Sequence, residues 1–126
     1  MARTTYSVEG DHAVWDGRTL RSWADVIVDR VVAEFDPVKV ILFGSVANGT
    51  DGPDSDIDLL VVLDHAPPAE RRRLMVALRR VTRGVAAPHD LLVTSVADLV
   101  RNSDRPGTTE YDPVRTGIAL YERAAA

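Results

Sequence analysis

The sequence predicts an α/β (α+β) protein in which a mixed β-sheet is flanked by helices. Three observations carry that expectation. Short, apolar runs rich in β-branched residues at Val38–Phe43, Ile57–Leu63 and His89–Val93 have the length and composition of buried strands. The stretches Ser22–Phe35 and Ala69–Arg83 repeat apolar residues every three or four positions, the period of a helix with one buried face. Proline, glycine and aspartate punctuate the junctions, and strands that alternate with helices pack as a sheet covered by helices.

A chain of 126 residues suffices for one domain with a real core and not for two. With 45% hydrophobic and 27% charged residues the composition is that of an ordinary soluble fold. No apolar run approaches the roughly 20 residues that span a bilayer, so no membrane association is expected. The segment Met1–Tyr6 lacks the apolar core of a signal peptide, and there is no cysteine for disulfides, so a cytoplasmic location is expected. A net charge of -4 argues against direct nucleic-acid binding through bulk electrostatics, although a local basic patch remains compatible with it.

Residues 1–20 are expected to form an N-terminal extension, with two short strands around a turn at Glu9-Gly10-Asp11; residues 21–126 are expected to form the single main domain. In the first helix Trp23, Val26, Ile27, Val31 and Phe35 face inward, Ser22 is placed to cap the start, and Asp36-Pro37 closes the end. Val38–Phe43 then delivers the chain to Gly44. Gly49, Gly52 and Pro53 form a loop before the second strand, which stops at His65–Pro68. The second helix turns Leu74, Met75, Leu78 and Val81 inward, and Gly84 and Pro88 break it. After the third strand come a short helical piece over Val96–Val100, a polar loop over Asn102–Thr109, a helical turn from Asp112-Pro113 to Gly117, and a closing strand at Ile118–Tyr121.

The chemistry concentrates in Gly44-Ser45-Val46-Ala47-Asn48-Gly49, followed after a short loop by Ser55-Asp56-Ile57-Asp58-Leu59. A glycine directly after a buried strand lets backbone approach a ligand closely, and the N–H groups of a helix opening there favour an anion such as phosphate. The Ser45 hydroxyl can donate to a phosphate oxygen. Taken alone, such a turn is more often a plain strand-to-helix connection. Asp56 and Asp58 are two apart, so on a strand both carboxylates project to one face. Like charges held together repel unless a cation lies between them, and hard oxygen ligands suit Mg²⁺. An acidic loop in water is the bland alternative, but five consecutive apolar residues after Asp58 carry the pair into a buried strand. An EF-hand loop starting at Asp54 fails because its turn glycine would be Leu59 and its closing glutamate His65. Asp90, at the start of the third strand, is assigned as a third metal ligand; its alternative is a cap or turn residue. Asp51, Asp54 and Asp64 are read as solvated or supporting residues. His89 is read as structural, and His12 and His65 have no matching partners. Arg71, Arg72, Arg73, Arg79, Arg80 and Arg83 on the second helix are read first as a solvated face, and otherwise as a contact surface for an acidic partner or RNA.

With these residues in view, Gly44–Gly49 through Ser55–Leu59 resembles the signature of the minimal nucleotidyltransferases of the DNA polymerase β-like superfamily. The resemblance extends from Val38 to Asp90 and, more loosely, to Gly117–Tyr121, which looks like the family's closing glycine and strand. It implies a polymerase β-like nucleotidyltransferase fold with two Mg²⁺ ions on Asp56, Asp58 and Asp90, which are also the catalytic residues. It implies a triphosphate, normally of ATP, held by Gly44 and Ser45, with Asn48 and Ser55 completing the nucleotide site. The expected reaction moves a nucleoside monophosphate, usually AMP, to an acceptor hydroxyl. Small stand-alone members look like antitoxins paired with an HEPN-domain toxin, some of which adenylylate a tyrosine of that toxin. The expected partners are therefore a nucleotide and an HEPN-type toxin, in a homo- or hetero-oligomer. Asn48 departs from the family's usual arginine and brings no charge to the triphosphate. Two other readings stand beside the toxin-modifying one: transfer to a small molecule such as an aminoglycoside, and a non-catalytic antitoxin that masks its toxin by contact.

Overall fold

The computed structural model describes residues 5–10 and 12–124. Of the expected extension and its turn, residues 1–4 and Asp11 lie outside the described part, as do the two terminal alanines. The chain opens on three short antiparallel strands, β1 (Tyr6–Glu9), β2 (His12–Trp15) and β3 (Arg18–Thr19), one more than the two expected. Gly17 takes φ +77° and Asp16 φ +50°, a left-handed pair that turns β2 tightly back into β3.

Helix α1 (Leu20–Phe35) follows at once. Its cap is Thr19 and not Ser22: the Thr19 hydroxyl accepts from the Ser22 amide at 3.2 Å, so Ser22 is already the third residue of the helix. Leu20, Ala24, Ile27, Val28 and Val31 form its buried stripe, whereas Trp23, Val26 and Phe35 lie at its half-buried flanks. Asp36 ends the helix in the left-handed conformation, its amide returning to the Val32 carbonyl.

The main sheet has four strands in the order β6-β5-β4-β7: β4 (Lys39–Phe43), β5 (Ile57–Leu63), β6 (His89–Ser95) and β7 (Ile118–Glu122). Strand β4 pairs antiparallel with both β5 and β7, while β5 and β6 run parallel, which makes the sheet mixed. A parallel pair needs a crossover, and here it passes through a 3-10 turn at Pro68–Glu70 and α3 (Arg71–Val81). Between β4 and β5 lies α2 (Gly44–Asn48); α4 (Val96–Asn102) and α5 (Tyr111–Thr116) separate β6 from β7.

Alternation along the strands divides the core. Val40, Leu42, Ile57, Leu59, Val61, Leu91 and Val93 face one side, where they pack with residues of α1 and α3. Ile41, Leu60 and Val62 face the other, beside Phe43, Leu92 and Leu99 of α4. Asp58 and Asp90 share the parity of Leu60 and Leu92, so both project toward this second, more thinly covered face. No helix among the described residues is long and apolar enough to cross a membrane.

Candidate active site

The site is built where β4 ends and β5 and β6 begin. Phe43 pairs with Asp58 across the antiparallel ladder, and Asp58 pairs with Asp90 across the parallel one. Three neighbouring strands thus set the Gly44 turn, Asp58 and Asp90 side by side. Asp56 precedes β5 by one residue, so it is not a strand residue as the two-residue spacing suggested; it is exposed, as is Asp90, while Asp58 is half-buried.

Burial pushes the Asp58 carboxyl up to about 6, and the charges of Asp56 and Asp90 push in the same direction. None of the three has an ion-pair partner among the described residues. Among the described residues no three acidic or histidine side chains are gathered closely enough to hold a metal ion as they stand; Asp58, with Asp56 and Asp90 as its charged neighbours, is the carboxylate whose surroundings would suit a hard divalent cation.

Gly44 is required at its position for two reasons. Its φ of +77° lies in the left-handed region, and a Cβ built there would stand 2.5 Å from Asp58 Oδ2. The turn can therefore come this close to the carboxylate only without a side chain. The next residue, Ser45, hydrogen-bonds through its hydroxyl to Ser55 Oγ at 3.1 Å, and the Gly52 amide donates to the same Ser55 oxygen at 2.9 Å. The Thr50 amide donates to the Ser45 carbonyl at 2.9 Å, which folds the loop back on α2. Gly44 is thus set against Asp58, Asp58 beside Asp90, and Ser45 against Ser55. Asn48 ends α2 three residues beyond Ser45 with its side chain exposed.

Several residues read as bystanders have definite partners. Asp51 is not solvated: it is 7% exposed and accepts from His12 Nδ1 at 3.0 Å, so His12 has a partner after all. Nothing in the local sequence pairs residues 39 apart; the contact depends on where the N-terminal strands dock. His89 is structural, as expected, bonding the Ala87 carbonyl at 2.8 Å and Thr82 Oγ1 at 3.0 Å, which ties the end of α3 to the strand that carries Asp90. Asp64 is a surface residue bonded by Arg123 at 2.7 Å, and that hydrogen bond holds its carboxyl below the usual range. On α3, Arg71 leaves the solvated face: it pairs with Asp98 and donates to the Ala66 carbonyl at 2.8 Å. Arg72, Arg73, Arg79, Arg80 and Arg83 are exposed.

A groove of about 290 Å³ lies on the carboxylate face of the sheet, between α4 and α5, with Ile41 and Ala119 in its floor and Leu99, Val100, Pro113 and Val114 in its walls. Val100 is 72% exposed, and Val114, which lines the same groove, is exposed as well.

Comparison with known proteins agrees with this geometry. No curated protein matches the chain. Among solved structures, the 1.40 Å crystal structure of a provisionally named nucleotidyltransferase from Sulfolobus solfataricus matches with a TM-score of 0.60 at 25% identity, covering 82% of this chain and 81% of that one. The model of the family described as "Nucleotidyltransferase domain" matches residues 25–110, a span that holds the Gly44 turn and all three aspartates and leaves out β1, β2, β3 and β7. With well over half of its length matched, and the glycine turn and acidic strand ends inside that span, the chain belongs to the nucleotidyltransferase domain family.

Proposed function

We propose that the protein is a Mg²⁺-dependent nucleotidyltransferase that moves AMP from ATP to an acceptor hydroxyl on a partner protein, an HEPN-type toxin for which it serves as the antitoxin. The observation that carries the transfer chemistry is the register Phe43–Asp58–Asp90, which sets two carboxylates beside a glycine turn that has no side chain on its ligand-facing side.

Asp56, Asp58 and Asp90 would hold the metal, two ions in the full arrangement, which supplies charge neutralisation at the phosphates and activates the attacking hydroxyl. The chain's own residues do the rest. The Gly44 backbone lets phosphate oxygens approach without a Cβ in the way, and Ser45 and Ser55, already joined through their hydroxyls, offer donors to the triphosphate. Asp90, the more open of the two strand carboxylates, would help take the acceptor's proton as the hydroxyl attacks the α-phosphorus and the bond to the leaving pyrophosphate breaks. Asn48 can offer only a neutral hydrogen bond where the family resemblance leads one to expect an arginine, so the protein is expected to bind nucleotide less tightly than an Asn48→Arg variant would.

A protein acceptor is favoured over a small molecule by the surface around the carboxylates. Val100 and Val114 leave exposed apolar area on the face of the sheet toward which Asp58 projects, and such patches mark protein contacts more often than small polar ligands. The test is incubation with Mg²⁺ and α-³²P-labelled ATP, with and without the product of the neighbouring gene, beside an Asp56→Ala/Asp58→Ala control. Label on the neighbour that disappears in the control supports the proposal. Co-purification without label would replace it with a masking antitoxin, and neither label nor complex would move a small-molecule acceptor such as an aminoglycoside to the front.

A further inference from the structure

We propose that the N-terminal sheet β1–β3, which lies outside the span shared with the family, is a clamp on the Gly49–Ser55 loop, and that His12 and Asp51 are its positioning residues for nucleotide binding. The proposal deepens the reading of the site as a nucleotide site and rests on it.

The starting point is Asp51, a carboxylate buried to 7% exposure in the middle of a loop. A charge removed from water there is costly unless a donor meets it, and the donor is His12 Nδ1 at 3.0 Å, the first residue of β2. A second contact from the same sheet lies two residues along the loop, where the Tyr6 hydroxyl donates to the Pro53 carbonyl at 3.0 Å. The sheet that makes these contacts is itself anchored. Ala13 is fully buried and Val14 nearly so, the Tyr6 and Trp15 rings meet in a tilted contact with centroids 4.8 Å apart, and the Trp15 carbonyl accepts from Trp23 Nε1 of α1 at 2.7 Å.

The loop so held is the one that presents Ser55. Asp51 is pinned by β2, Gly52 donates to Ser55 Oγ, Pro53 is pinned by β1, and Ser55 meets Ser45 in the turn beside Asp58. Each contact fixes the next, so a loop of glycine, proline and small polar residues is held in one conformation without a helix or strand of its own. Freed from the clamp, Ser55 would sample other positions, and nucleotide binding would bear the entropy of ordering the loop.

The test uses the full-length protein and two readouts. The first is the affinity for the fluorescent analogue MANT-ATP with MgCl₂, well below the melting temperature. The second is amide hydrogen exchange of residues 50–55 without nucleotide. The variants are His12→Ala, His12→Asn, which returns a donor near the Nδ1 position, and Val31→Ala, which weakens the core of α1 away from the loop. His12→Ala is expected to speed exchange across the loop and to weaken MANT-ATP about tenfold, the scale of a lost hydrogen bond to a charged group. His12→Asn should recover most of both. Val31→Ala should lower the melting temperature and leave affinity unchanged. Unchanged exchange and affinity in His12→Ala would overturn the clamp, and so would an equal loss of affinity in Val31→Ala at an equal loss of stability. If the parent protein binds no MANT-ATP while His12→Ala still loosens the loop, the nucleotide reading falls and His12 is left as a loop anchor without a part in binding.

Discussion

Replacing Asp58 by asparagine should make the metal-free protein more stable at neutral pH. In the native state burial, then Asp56, then Asp90 raise the Asp58 carboxyl from 3.8 to about 6. A native state that holds a proton more tightly than the unfolded chain binds more protons than it across the interval between those two values. Stability contributed by this group is therefore fully present below about pH 4, declines as pH rises through about 6, and is absent above. A displacement of that size would correspond to about 3 kcal/mol for a group shielded from water, but Asp58 is only half-buried, and screening reduces the expectation to about 1 kcal/mol. Asparagine keeps the shape and removes the titration. Urea unfolding of both proteins in EDTA, from pH 4.5 to 8, should show the variant gaining on the parent as pH rises, by about 1 kcal/mol at pH 7.5 and little at pH 4.5. Added Mg²⁺ should reverse the order, because only the parent retains the full carboxylate set and gains stability by mass action. A difference that does not change with pH, or a variant less stable than the parent at pH 7.5 in EDTA, would refute the account of burial and repulsion acting on Asp58.

Three further substitutions probe other parts of the fold. Gly44→Ala places a Cβ 2.5 Å from Asp58 Oδ2 at a φ of +77°, so it should cost about 1–2 kcal/mol in thermal unfolding and abolish the Mg²⁺-dependent gain in stability by displacing the carboxylate. Gly117→Ala drives a Cβ against the Pro113 carbonyl and to 2.9 Å from the Leu42 carbonyl, backbone on both sides, and should destabilise by about 3 kcal/mol, measured as a shift in urea midpoint. Glu110 is 3% exposed with one oxygen bonded by Asn102 at 2.8 Å and the other without a partner among the described residues, so Glu110→Gln should raise stability at pH 7 by about 1 kcal/mol in the same assay.

How much of this was legible in the sequence depended on whether the signal was local. The span Ile57–Leu63 could be read to its ends because Ile57 and the five apolar residues after Asp58 have no other way to be buried between Asp56 and Asp64, and Gly44 could be read because a strand must stop there. Asp90 could be placed at the start of a strand, but its pairing with Asp58 is a matter of register between strands joined by a crossover, which composition does not contain. Thr19 was hidden as a cap because it is also the last residue of β3, so strand and helix share one junction with no loop to mark it. His12 and Asp51 carried no signal, since their contact is set by the docking of one sheet on another element's loop. Arg71 could not be separated from its neighbours, because only the position of α4 decides which arginine meets Asp98.

The parallel pairing of β5 with β6 has a consequence for the order in which the protein matures. Strands β4 and β5 are neighbours in the chain, so the Gly44 turn and Asp58 can meet early, through a short loop closure. Asp90 arrives only after the 3-10 turn and α3 have been laid across the sheet, a slower, longer-range event. Since β6 is an outermost strand, its end can also fray while the rest of the sheet stays formed. The carboxylate pair is thus completed only after the β4–β5 pairing and lies on a strand that can open at its edge, where a bound cation would act as the latch that keeps it closed.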